Sequence, residues 1–309
     1  MAITKSVMKG PNEIVPFDHP AIHYPQLASQ KFDGFRLLNL CGESLLSPAL
    51  KPFPNGNMAS HLAPLLAYCK RNRIVTDGEF WSPFLTFQEL QSIVRSHNKP
   101  IPEHIRYYIF DMMTESEWDN EDEAPFINRY LEYKQTLHFD CVVAVEQYHV
   151  TTPDEASARF DAAIANSQEG IILRQHNARY KHGRTTLNQD GMWKFKEFQT
   201  HDAVVVGFEQ AEVMRDGIER TTDAQGKLER TYRQADYTPI DMLGAFWVEQ
   251  NGLRFKVKPG KGCDNEWKRH VWANQDLWLR KHIEYKFMPH GTMDKPRIGN
   301  FVRTRPDLD

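Results

Sequence analysis

Cysteine is scarce in this chain, and the little there is lies scattered. Cys41, Cys69, Cys141 and Cys263 are the four in 309 residues, with no CxxC pair among them. That pattern argues against a disulfide framework and a cysteine-ligated zinc site, and it fits a reducing compartment. The opening residues, MAITKSVMKG, hold no apolar signal core, and no hydrophobic run approaches membrane-spanning length. A cytoplasmic protein without membrane contact is therefore expected. An excess of one charge is missing too. The formal net charge is −3, which decides nothing about nucleic acid, because a groove can be basic while the total is not.

What the chain does have is length and apolar content. At 309 residues it is about twice a typical domain, so two domains are expected. With 40% hydrophobic and 12% aromatic residues it can bury ordinary cores. Residues 201–309 hold 18 Lys/Arg against 17 Asp/Glu, so the C-terminal part is slightly basic while the whole is not.

Residues 1–30 carry little periodicity and should wrap a surface before the first strand. RIVTDGEFW and IRYYIFDMM, rich in β-branched and aromatic residues, read as strands. ASHLAPLLAYCKRN, INRYLEYKQTL and TPDEASARFDAAIANS read as helices, the last with Thr152 as N-cap before Pro153. EGIILRQ and GMWKFKEF return to strand. Residues 1–200 thus mix strands and helices in an α+β manner, with antiparallel sheets and flanking helices expected.

Beyond residue 200 the texture changes. HDAVVVGFEQ, LGAFWVEQ, LRFKVKP, HIEYKFM and FVRTRP are short strands, with one helical segment near NEWKRHVWANQDLWL. Five strands and a helix over 201–309 suit a small OB-fold β-barrel. A polar stretch at about 211–239 separates the first two strands, long for a loop in a compact domain.

KFDGFR at 31–36 admits two readings. Asp33-Gly34 between Phe32 and Phe35 could close a solvated hairpin. Alternatively, Lys31 is a nucleophile held at a strand end and aimed into a cleft. Lys194 and Lys196 alternate in WKFK, so both ammonium groups point to one side and Trp193 and Phe195 to the other. Two like charges on one face are costly unless an anion sits there.

KFDGFR, DGEF at 77–80, YIFD at 108–111, EGIILR at 169–174 and WKFK at 193–196 form an ordered set. Their order and spacing resemble the covalent nucleotidyltransferases, specifically the small ATP-dependent DNA ligases of phage and viral type. The resemblance covers nearly the whole chain, including YKHGRTTLNQDGMWKFK and the closing RIGNFVRTRPD. It implies a nucleotidyltransferase domain at 1–200, an OB-fold domain at 201–309 and a latch-like insertion at about 211–239. It implies nick sealing in double-stranded DNA with ATP and Mg²⁺ (or Mn²⁺), by a monomer, in the host cytoplasm if the chain is phage-encoded.

The resemblance also implies roles. Lys31 would form the lysyl-adenylate; a free lysine, with a pKa of about 10.4, must first lose its proton. Glu79 and Glu169 would engage metal or ribose, with Asp33 close by, since hard oxygen ligands suit Mg²⁺. Phe110 would stack on adenine, and Arg36, Arg174, Arg184, Lys194 and Lys196 would contact the nucleotide and its phosphates. Arg36, Lys51, Arg215, Arg230, Arg297, Arg303 and Arg305 are the expected DNA contacts. Lys51 enters because Ser47-Pro48 stands where such ligases carry Ser-Arg; Gly299 stands where they carry proline. The rival readings are an mRNA-capping guanylyltransferase, an RNA ligase and a non-catalytic OB binding module.

Overall fold

The computed structural model describes residues 5–120, 124–189, 191–218, 233–288 and 296–309. Contacts divide the chain into two compact units, with the break after Lys196.

The first unit carries nine strands: β1 (Gln26–Lys31), β2 (Phe35–Leu40), β3 (Ser44–Leu46), β4 (Ile74–Trp81), β5 (Arg106–Thr114), β6 (Val142–Ala144), β7 (Tyr148–Val150), β8 (Gly170–Gln175) and β9 (Met192–Lys196). They form two sheets, ordered β7-β1-β8-β9 and β3-β2-β4-β5-β6. Every pairing is antiparallel except β5 with β6.

The hairpin reading of KFDGFR fails on this topology. β1 and β2 flank Asp33-Gly34 but lie in different sheets, so the turn carries the chain from one sheet to the other. Gly34 fits because the passage is tight: a Cβ there would sit 2.6 Å from the Phe80 carbonyl oxygen.

Alternation then sorts each strand into two faces. On the four-stranded sheet Ala28, Ile171, Leu173, Trp193 and Phe195 pack with Ala156 and Ala163 of the helix Pro153–Ala165. That helix is capped by Thr152, whose Oγ1 accepts from Glu155 N at 3.2 Å. Ser29, Ile172, Arg174, Met192 and Lys194 fall on the opposite face and line one cavity. On the five-stranded sheet Leu37, Phe80, Tyr107 and Ile109 enter the largest core, with Leu65, Cys69 and Tyr133 of the flanking helices. Arg36, Glu79 and Phe110 are left to line the same cavity. The N-terminal segment is not merely a wrap: Val7 and Met8 are buried against Leu38, Val75 and Tyr180.

The second unit is one five-stranded sheet of β10 (Gln199–Met214), β11 (Tyr237–Gln250), β12 (Leu253–Val257), β13 (His282–Met288) and β14 (Arg297–Thr304), ordered β12-β11-β10-β13-β14. Its core gathers Val205, Phe246, Val248, Phe255, Ile283, Tyr285 and Phe301 under Val271 of the helix Asn265–Ala273. The expected barrel does not close. Among the described residues, edge strands β12 and β14 are joined through an isolated parallel bridge just past β12, Lys258↔Asn300. Pro259 follows at once and has no N–H with which to extend a ladder.

The polar stretch at 211–239 begins and ends as strand rather than loop. β10 and β11 stay paired out to Met214↔Tyr237, so its described ends form a two-stranded ribbon. Residues 219–232, Arg230 among them, lie outside the described residues.

Candidate active site

The cavity between the two sheets of the first unit measures ≈ 280 Å³. Lys31, the last residue of β1, lies opposite Gly170 of β8, and Gly170 in turn lies opposite Lys196 of β9. One cross-strand row thus carries Lys31 and Lys196, with Glu169 just before the glycine. Glu169 is 4% exposed, and its Oε2 accepts from Lys31 Nζ in an ion pair. Only glycine can occupy 170: its φ is +147°, and a Cβ would lie 2.0 Å from the Phe195 carbonyl oxygen.

Glu79 faces this pair from the other sheet. Its carboxyl is pushed up to about 8, first by burial and then by the Glu169 and Asp77 charges, while Lys31 and Arg36 pull it down. Arg36, the register partner of Glu79, makes a two-pronged bond to Asp77: Nε to Oδ1 at 2.9 Å and Nη2 to Oδ2 at 2.6 Å. Tyr180 also donates to Asp77 Oδ2, at 2.6 Å. Burial works against the Arg36 charge, but Asp77 outweighs it and the pKa is raised. Asp77 therefore serves as anchor for Arg36. The Arg36 guanidinium sits 5.2 Å from the Phe110 ring centroid.

The basic wall is formed by Arg174, Arg184 and Lys194. Lys194 is lowered to about 8 by burial and by the nearby Arg184, Lys196 and Lys31 charges. Arg184 is fastened by Nη1 to the Gly10 carbonyl at 2.8 Å. Arg174 is buried, ion-paired with Asp111 and laid 3.9 Å from the Phe126 ring centroid. Burial alone would raise the Asp111 carboxyl, yet Arg129 and Arg174 together hold it down.

Of the residues read from the sequence, Lys31, Arg36, Glu79, Phe110, Arg174, Arg184 and Lys194 line the cavity. Glu169 stands directly behind Lys31. Asp33 lies in the turn between β1 and β2 and is not part of the lining. Lys51 is exposed in the loop after β3, where its N–H meets Ser47 Oγ at 3.3 Å, also outside the lining. In the second unit Arg215 is exposed. Arg303 is bound to Glu284 and Arg305 to Asp202 and Asp307. Arg297 begins β14, but its side chain lies outside the described residues. Among the described residues no group of three or more His, Cys, Asp or Glu side chains converges on a metal position, so Glu79, Glu169 and Asp33 do not form a ready-made cage.

A family model described as the ATP-dependent DNA ligase domain matches residues 23–196, more than half of the chain. The chain belongs to the ATP-dependent DNA ligase family. No curated protein sequence matches it. Solved structures share the fold at low identity. The chlorella virus DNA ligase-adenylate is 21% identical, with 98% of this chain and 99% of that chain covered at a TM-score of 0.53. A Lig E DNA ligase is 20% identical, with 96% and 99% covered at 0.67. A ligase designated Pmar-Lig is 18% identical, with 97% and 67% covered at 0.74. Among the described residues of this ligase no helix is long and apolar enough to cross a membrane.

Sequence reasoning missed Phe126, Gln147, Asp111 and Arg129. Asp111 stood inside the quoted YIFD, yet nothing nearby announced that two distant arginines would share it. Phe126 lies one residue before the helical pattern read from the sequence. Gln147 follows Glu146 in the short link between two strands and gave no signal.

Proposed function

We propose that this ligase seals nicks bearing a 5′-phosphate and a 3′-hydroxyl in double-stranded DNA, through a lysyl-AMP on Lys31. The observation that carries the reading is Lys31 at the cavity edge, paired with Glu169 and facing a basic wall in which Arg184 crowds Lys194, while Asp77 and Asp111 balance Arg36 and Arg174. Such a wall is unfavourable empty and suits a polyphosphate.

In the first step the deprotonated Lys31 Nζ attacks the α-phosphorus. The new N–P bond replaces the bond to pyrophosphate, which leaves. Lys194, Lys196 and Arg184 would hold the departing phosphates. AMP then passes from nitrogen to the DNA 5′-phosphate oxygen, freeing Lys31. The 3′-hydroxyl finally attacks the phosphorus of the DNA 5′-phosphate, forming the phosphodiester as AMP departs. Phe110 and Phe126 offer aromatic faces for the base. Arg36, held by Asp77, which Tyr180 also binds, would contact the ribose or the nick.

The residues present fit a divalent cation. The Glu169 charge adds to the burial that disfavours an ionised Glu79, and a hard cation would relieve that crowding while water and phosphate oxygens complete its shell. Bound there by these two carboxylates, Mg²⁺ or Mn²⁺ would neutralise charge developing on the phosphoryl group.

We infer that the second unit is an OB-type module, on the strength of its five strands, single core and edges that meet at Lys258↔Asn300. Arg215, Arg297, Arg303 and Arg305 are its proposed DNA contacts, and the β10–β11 ribbon is the proposed latch. Sealing of a nicked duplex, with and without ATP and with matched DNA and RNA strands, tests the reading. ATP-dependent joining of DNA strands is expected. Joining of RNA alone would favour an RNA ligase, and covalent label from GTP alone a capping enzyme.

A further inference from the structure

Among the polar side chains lining the cavity that the reading above leaves unused, one is a buried amide. Gln147 lines the cavity, is more than nine-tenths buried, and its Oε1 has no hydrogen-bond partner among the described residues. A buried amide oxygen without a donor costs on the order of 1–3 kcal/mol, and native proteins leave few such atoms unless something else fills the need.

The orientation of that amide is fixed by its neighbours. Tyr133 donates its single hydroxyl proton to the Val145 carbonyl at 2.9 Å. Towards Gln147 the same hydroxyl can therefore only accept, and Gln147 Nε2 donates to it at 3.3 Å. The amide nitrogen is held at Tyr133, which leaves Oε1 as a pure acceptor. Position matters as well. Gln147 immediately precedes β7, whose Tyr148 lies opposite Ala28 of β1, and this sets it beside Ser29, two residues before Lys31. Arg174, on the same cavity, contributes a second unmet atom: its buried Nε–H donor has no partner among the described residues either.

An acceptor and a donor, both unmet, are the complement of an adenine edge, which offers the exocyclic N6 amino donor and ring-nitrogen acceptors. Guanine and hypoxanthine carry an oxygen at position 6 and a proton on N1, so they would set acceptor against acceptor. We propose that Gln147 is the residue that selects ATP over 6-oxopurine triphosphates, by accepting a hydrogen bond from the adenine amino group, with Tyr133 as the positioning residue that stops the amide from flipping. This rests on the lysyl-adenylate reading of the cavity.

The test compares covalent nucleotide transfer to the full chain from ATP, from ITP, and from purine riboside triphosphate, which lacks any group at position 6. Wild-type protein should use ATP with a KM on the order of tenfold lower than that for purine riboside triphosphate, and should use ITP less well still. Gln147→Met should raise the KM for ATP by a similar factor and leave purine riboside triphosphate unchanged, so that the two converge. Tyr133→Phe should narrow the gap between ATP and ITP, since the amide can then turn its nitrogen towards O6. The wild-type comparison needs no variant to fold. Equal use of ATP and purine riboside triphosphate by wild type overturns the assignment, as does an equal loss on both in a folded Gln147→Met. No covalent label from any of the three overturns the lysyl-adenylate reading and this assignment together, which keeps the two failures distinct.

Discussion

Lys31, at the end of β1, forms an ion pair with Glu169, just before β8, and Glu169 is the more deeply buried of the two. The pair joins the only nucleophilic amine assigned to the reaction to a carboxylate that has almost no access to water. Glu169→Gln keeps the shape and removes the charge. Both adenylation and phosphodiester formation should fall by roughly 10²–10³-fold, because each step builds negative charge beside this carboxylate. Single-turnover rates for the two steps check this; near-normal rates would make Glu169 a structural residue.

Glu79 gives the fold a pH dependence. Its carboxyl is raised from 4.5 to about 8 in the folded protein, so between those values the folded state holds a proton that the unfolded state has lost. The stabilisation from this group is complete below pH 4.5, fades as pH rises, and is gone above about 8. Glu79→Gln abolishes this dependence. The wild-type melting temperature should drop by a few degrees more than that of the variant between pH 5.5 and 8.5. Parallel melting curves would show that Glu79 is ionised in the folded protein at neutral pH.

The ribbon of β10 and β11 carries a prediction about DNA. Replacing residues 213–235 with a short Gly-Ser turn should leave lysyl-adenylate formation intact, since that step needs no DNA. Nick affinity should fall, and its dependence on salt should become shallower as phosphate contacts are lost. Filter-binding titrations across a salt series measure both. Unchanged affinity and slope would make the ribbon a passive extension of the sheet.

Much of the site could be read from the chain because its residues sit in short stretches with strong local character. Lys194 and Lys196 alternate with Trp193 and Phe195, and period two places them without knowledge of the fold. Lys31 was recognisable through its glycine neighbour, although the turn proved to join two sheets and not two strands of one. The rest depends on contacts between residues far apart in sequence. Arg129 and Arg174 meet at Asp111, and Tyr180 meets Asp77 across 103 positions; no local pattern encodes such pairings. The barrel was over-read for a related reason. Five strands and a helix are visible locally, but closure depends on how far β12 runs past Val257, and Pro259 ends that extension.

The central claim is that Lys31 carries the nucleotide. Incubation with ATP and Mg²⁺, followed by proteolysis under conditions that preserve the phosphoramide and mass-spectrometric mapping, tests it most directly. The account predicts AMP on the peptide containing Lys31, no label in Lys31→Ala, and retained ability of Lys31→Ala to close a nick that is already adenylated. AMP mapped to Lys194, Lys196 or any other residue, or label persisting in Lys31→Ala, would contradict it.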